Sequence, residues 1–251
     1  MTVGQDATPV PRSLAWATAI DTLPLDRVVE RRDGYLVVRS PGNPRHHWGN
    51  LLLFDRPPGV GDAKEWERLF EAEFGDGPLV RHKTFAWDCT DGEAGLAGTE
   101  FVDRGYDLDE SVALVAEPGQ VRAHRRENRE VVIRDLEPRR GADEELWHGV
   151  LELQVANRDE RYDEQGYRAF ARSRLDDLRE HFRLGRGAWY VAVDPTQGQI
   201  VASCGVVVTG ERARFQAVDT ALAHRRRGIC SRLVVEAVQR SAASLTGPSG
   251  S

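Results

Sequence analysis

The sequence predicts an α/β (α+β) protein made of two halves, each a mixed, mostly antiparallel sheet flanked by helices. Three observations carry this expectation. Strand-like and helix-like segments alternate, first as β-β-α-β-α-β and then as β-α-α-β-β-β-α. Asp194-Pro195 with Gly198, and Thr209-Gly210, are short turn signals of the kind that join antiparallel neighbours. A charged stretch containing Pro118 and Gly119 separates the halves.

In the first half, residues 1–20 are read as a loose terminus, polar at its start and containing Pro9 and Pro11. The first half-domain is placed at 21–120. Asp26 to Val38 and Trp48 to Phe54 read as strands around a turn of Pro41, Gly42, Asn43 and Pro44. Asp62 to Phe74 carries Trp66, Leu69, Phe70 and Phe74 at helical spacing. Leu79 to Asp88 reads as a strand, Gly92 to Asp103 as a helix and Ser111 to Ala116 as a strand. Residues 121–130, with His124-Arg125-Arg126-Glu127-Asn128-Arg129, are read as a solvated linker.

The second half, 131–243, opens with a strand at Val131 to Asp135. A first helix gathers Leu146, Trp147, Val150, Leu151 and Val155 on one face. A second places Tyr167, Phe170, Ala171, Leu175, Leu178 and Phe182 in a stripe, stopped by Gly185 and Gly187. Strands follow at Trp189 to Val193, Gln199 to Val208 and Ala213 to Asp219. A loop from Thr220 to Arg227 leads into a helix from about Gly228 to Arg240, and 244–251 is expected to be a disordered tail. Ile229, Cys230, Leu233, Val234, Ala237 and Val238 are expected to face inward on that helix.

Composition limits the function. The chain has 251 residues, 40% hydrophobic and 29% charged, which suits a globular protein with a real core. A net charge of -6 disfavours general nucleic-acid binding, which needs a basic surface. No apolar run approaches the roughly 20 residues that span a bilayer, and no signal peptide is read. Cys89, Cys204 and Cys230 are odd in number and lack metal-ligand spacing, so reduced thiols, no metal and a cytoplasmic setting are expected. His46-His47-Trp48 is discounted as a metal site, because neighbours on a strand point to opposite faces.

The informative stretch runs from Val218 to Leu233 as strand, short loop, basic-glycine turn and helix. The first amides of a helix lack internal partners, and the helix dipole places partial positive charge there. An anion gains from both. Gly228 permits close backbone approach, and Arg225, Arg226 and Arg227 supply charge for phosphates.

This stretch resembles the acetyl-CoA signature of the GNAT acyltransferase superfamily: arginine or glutamine, two residues, glycine, one residue, then glycine or alanine. Arg225, Gly228 and Cys230 occupy those places, with Cys230 a small departure. The resemblance covers about Val131 to Arg240. It implies an acyl-CoA N-acyltransferase-like fold, acetyl-CoA as cosubstrate and transfer of an acetyl group to a primary amine. It also implies a cofactor site of Val218, Asp219, Thr220, Arg225, Arg226, Arg227, Gly228, Ile229, Cys230 and Ser231, with the strand backbone at Val218 and Thr220 pairing the pantetheine arm. In the family a strand, helix and strand follow the signature helix. Here the chain runs from Ser241 to Ser251 in small, polar residues, so either the first half, read as a degenerate GNAT-like half, provides the missing layer or, as the abrupt change of character inside the helix favours, the chain is a shortened version of such an enzyme.

No base or acid is assigned. Asp219 stands beside the cofactor strand positions and reads equally as a capping carboxylate; His224 is expected to face water and Cys230 to pack. Trp87-Asp88 is a candidate wall of an acceptor pocket. The acceptor and oligomeric state are open, and an inactive coenzyme A binder or an interaction module stands as the alternative.

Overall fold

The computed structural model describes residues 10–75 and 80–245, with side chains through 242. The protein is mixed α/β, with two four-stranded sheets flanked by helices. It divides into two compact units, Met1–Ala113 and Leu114–Ser251.

The first unit carries α1 (Leu14–Asp21), β1 (Val28–Arg32), β2 (Tyr35–Arg39), β3 (Leu51–Phe54), α2 (Asp62–Phe74), β4 (Phe85–Trp87) and α3 (Ala97–Glu100). The expected strand from Asp26 to Val38 is in fact a hairpin. Arg32 pairs with Tyr35 across Gly34, whose φ of +81° suits the two-residue turn. β3 is buried along its whole length because both faces are covered. Leu51 and Leu53 join Ile20 and Leu23, whereas Leu52 and Phe54 join Trp66 and Phe70 of α2. β4 then runs parallel to β3, a connection that needs a crossover such as α2.

Several first-half expectations need correction. α1 lies within the segment expected to be loose; Asp88 fastens its start, accepting the amides of Arg12 at 2.7 Å and Ser13 at 2.8 Å. Residues 1–9 lie outside the described residues. Only Phe85–Trp87 of the expected strand Leu79 to Asp88 pairs, and its first residue is not among those described. The expected helix from Gly92 shrinks to Ala97–Glu100 and a turn at Val102–Arg104, because Gly92 and Gly95 hold φ of +79° and +55°. Ser111 to Ala116 forms no strand and leaves Leu114 92% exposed.

The second unit carries β5 (Val132–Asp135), α4 (Glu144–Ala156), α5 (Glu164–Arg183), β6 (Gly187–Val193), β7 (Ile200–Thr209), β8 (Arg212–Thr220) and α6 (Ile229–Leu245). The strands lie in sequence order and pair antiparallel throughout. Alternation sorts them onto two helical layers. Trp189, Val191 and Val207 meet Trp147, Val150, Leu175 and Leu178 of α4 and α5. Tyr190, Ala192, Cys204 and Val206 meet Ile229, Leu233 and Ala237 of α6. α6 continues to Leu245, into the expected tail; residues 246–251 lie outside the described residues.

The stretch read as a linker, 121–130, packs on the second unit. Asn128 is partly buried and its side-chain oxygen accepts the amides of Glu130 at 2.9 Å and Val131 at 3.0 Å, whereas His124, Arg125 and Arg126 stay exposed.

Candidate functional site

β8 sits at the end of its sheet, paired only with β7 among the described residues. Its register shifts between Ser203↔Asp219 and Gly205↔Gln216, with Ala217 at φ +40°. That is a β-bulge: one extra residue bends the strand and re-aims its side chains. Before it, Phe215 packs on the α6 layer and Gln216 faces α5. After it, Asp219 turns towards α4, where Asn157 Nδ2 donates to its Oδ1 at 3.1 Å. Val218 is left 42% exposed at the strand edge.

Beyond β8 the chain makes a turn at Leu222–His224, reaches Arg226 at φ +61° and Gly228 at φ +75°, and enters α6. The carbonyl oxygen of Gly228 accepts the amide of Arg232 at 3.2 Å, the first bond of the helix. The amides of Ile229, Cys230 and Ser231 precede that bond and have no intrahelical acceptor. Helix start, loop and strand end enclose a cavity of about 370 Å³, lined by Val218, Asp219, Thr220, His224, Arg225, Arg226, Gly228, Ile229, Cys230 and Ser231.

These are the residues selected from the sequence, with two differences. Arg227 turns aside, its Nη2 lying 3.6 Å from Glu130. His224, expected to face water, is half-buried in the lining, and its Nδ1 is buried without a hydrogen-bond partner. Cys230, expected to pack, is exposed on the cavity side, while Cys204 beneath is buried. Helical rotation explains this, since Ile229, Leu233 and Ala237 already fill the inward face. Gly228 also has a different reason to be glycine. A Cβ there would run into the carbonyl oxygen of Arg126, so its bareness serves packing against 126–128.

The electrostatics are polarised. Arg225 and Arg226 are exposed at the mouth, and Arg225 Nε donates to the Thr220 carbonyl at 3.2 Å. Burial pushes the Asp219 carboxyl above the usual aspartate range, opposed by the Asn157 bond and the Arg225 charge. Tyr167 of α5 is pushed up by burial and by the charge of Asp219. Asn157 escaped the sequence reading, and the helical stripe holding Tyr167 marked it only as core.

The second unit thus joins an amide-rich helix start to a carboxyl whose proton affinity burial raises. No family model matches the chain, and no curated protein matches it. Among solved structures, it resembles a functionally unknown conserved protein from Staphylococcus epidermidis ATCC 12228. Identity is 12%, with 88% of this chain and 82% of that one covered at a TM-score of 0.63, a likeness of fold alone. Two partial matches are an acetyltransferase from Trypanosoma brucei and a GNAT-family acetyltransferase from Staphylococcus aureus Mu50. The first has 19% identity, covering 45% of this chain and 76% of that one, with a TM-score of 0.33. The second has 16% identity, covering 44% and 68%, also with a TM-score of 0.33.

The other sequence candidates fall elsewhere. Asp88 is buried under the start of α1 and borders a second cavity of about 320 Å³ with Arg12, Arg31, Leu36, Leu53 and Asp55. His46-His47-Trp48 is not a strand: a 3₁₀ turn spans His47–Gly49, His46 is buried, and the His47 ring lies tilted against that of His82 with centroids 4.1 Å apart. No group of three or more His, Cys, Asp or Glu placed to hold a metal occurs among the described residues. No described helix is long and apolar enough to cross a membrane.

Proposed function

We propose that the second unit binds acetyl-CoA and transfers its acetyl group to a primary amine. The observation that carries this reading is the cavity at the start of α6, which gathers every residue of the acetyl-CoA signature except Arg227. Its donor set suits a diphosphate: three helix-start amides, the Arg225 and Arg226 guanidiniums, and a helix dipole aimed the same way. The half-exposed edge of β8 at Val218 offers main-chain groups to the amide-bearing arm of the cosubstrate.

The chemistry follows from what the chain supplies. The acceptor enters as a neutral amine. Its nitrogen bonds to the thioester carbonyl carbon, the carbon–sulfur bond breaks, and the sulfur leaves as coenzyme A thiolate. Asp219 receives the proton the nitrogen sheds, and its raised affinity for that proton suits a general base. That proton, returned through solvent, completes the thiol. The bulge leaves Ala217 and Val218 exposed, and their main-chain N–H groups would serve the developing oxyanion. Binding both partners in one cleft supplies orientation.

Calorimetric titration with acetyl-CoA tests binding, and thiol release over an amine panel tests transfer. No heat at millimolar acetyl-CoA overturns the reading. Binding without thiol release from any amine leaves a coenzyme A binder and removes the transferase.

A further inference from the structure

The segment that leads into β5 carries positive charge that the acetyl-CoA signature does not include. The amide of Glu127 donates to the carbonyl of His124 at 2.8 Å, which closes a turn with Arg125 and Arg126 at its centre. His124 Nδ1 accepts the amide of Arg126 at 3.1 Å and braces that turn from within. Central residues stand at the tip of such a turn, and both arginines are exposed.

Folding brings this tip to the start of α6. A Cβ on Gly228 would run into the carbonyl oxygen of Arg126 and come within 2.9 Å of the amide nitrogen of Asn128. Two basic runs far apart in sequence, 124–126 and 225–227, therefore converge on the residue that opens the helix.

Carboxylates do not neutralise this corner. Glu127 lies 3.7 Å from Arg129 Nε, and Glu130 lies 3.6 Å from Arg227 Nη2, so each acid of the segment has its own arginine. Asp219, in the cavity lining, is bonded to Asn157 and reaches Arg225 only through its field. Among the described residues, Arg125, Arg126, Arg225 and Arg226 are within ion-pair distance of no carboxylate, and the Arg225 side chain bonds to the Thr220 carbonyl. In a chain of net charge -6, a knot of exposed, unpaired guanidiniums is a local reversal of sign that favours a strongly anionic ligand.

We propose that Arg125 and Arg126 form a phosphomonoester subsite that holds the 3′-phosphate of coenzyme A, so that the protein selects the 3′-phosphorylated nucleotide over its dephosphorylated form. The identity of the ligand rests on the coenzyme A reading above. That reading sets the pantetheine arm along β8 and the diphosphate on the helix-start amides with Arg225 and Arg226. The nucleotide is then carried past Gly228, where the turn of 124–127 stands. Its ribose monoester brings roughly 1.5 to 2 negative charges at neutral pH. Guanidinium forks match phosphate oxygens in pairs, which suits two arginines held side by side on one turn.

The test is calorimetric titration of the full chain with coenzyme A and with 3′-dephospho-coenzyme A, and needs no turnover. Coenzyme A should bind at least about tenfold more tightly, the scale of a charge-assisted contact. That margin should shrink as salt is raised. It should shrink again as pH falls through about 6, where the monoester loses its second charge. Arg125→Ala combined with Arg126→Ala should erase the margin by weakening coenzyme A alone, with the dephosphorylated form held as before. Arg125→Lys combined with Arg126→Lys keeps the charge and should retain part of it. If the double alanine variant does not fold, Arg125→Gln by itself should cut the margin about threefold, within the range of an exposed ion pair. The inference is overturned if the parent binds both nucleotides alike, or if a folded variant without these arginines keeps the full margin. Equal binding of the two leaves the coenzyme A reading standing, whereas binding of neither ends both.

Discussion

The amide of Asn128 donates to the carbonyl oxygen of Gly228 at 3.2 Å, and Arg232 Nη1 donates to the carbonyl of Asn128 at 3.1 Å. A segment from the start of the second unit therefore clamps the loop that opens α6. Gly228→Ala places a Cβ against Arg126 at a positive φ. It should destabilise the protein by about 2 kcal/mol, within the range for backbone strain, measured by urea unfolding. Loss of ligand in that variant reports a damaged loop rather than a lost contact.

The arginines give the cleaner probe. Arg225→Ala and Arg226→Ala should each weaken acetyl-CoA binding about tenfold, as expected for a charge-assisted contact, with a shallower salt dependence. Arg227→Ala should change it far less, because Arg227 leans towards Glu130. Calorimetry at two salt concentrations separates the three.

The same contrast shows how far the sequence reaches. α2 was legible to its ends, because Trp66, Leu69, Phe70 and Phe74 keep one period between glycines at 61 and 75. The strands of the second unit were legible because their turns carry Pro or Gly. α1 was not: eight residues without a cap bond owe their helix to burial and to Asp88, 67 residues beyond its last residue. At the site, the stretch from Val218 to Ser231 is contiguous and could be read as one motif. Asn128, Asn157 and Tyr167 reach it only through folding, and no local pattern marks them.

Asp219→Asn separates catalysis from binding. Turnover should fall by roughly 10²–10⁴-fold, the usual contribution of a general base, with acetyl-CoA affinity kept. Stability should move the other way. The folded carboxyl holds its proton more tightly than the unfolded one, so its contribution is present at low pH and is lost as pH rises through the folded value. At neutral pH the asparagine variant should melt no lower than the parent, and the difference should change in the parent's favour on acidification.

His82 gives the opposite sign in the first unit. Burial, then the neighbouring His47, lowers it to about 4, and its Nε2 lies 3.3 Å from the Asn50 carbonyl. The unfolded imidazole protonates near about 6.5, so the unfolded state binds the extra proton first. Stability should hold above that value and decline as pH falls towards 4. His82→Gln should flatten that decline in melting curves recorded between these limits.

The bulge at Ala217 has a consequence for the molecule's behaviour in concentrated solution. An outermost strand with a regular ladder of bare main-chain groups is a template on which other chains can zip up into fibres. Here the ladder is interrupted two-thirds of the way along β8, so a foreign strand can follow it in register on one side of the kink only. Deleting Ala217 would straighten that margin and remove the safeguard against self-association, quite apart from anything it did to the chemistry.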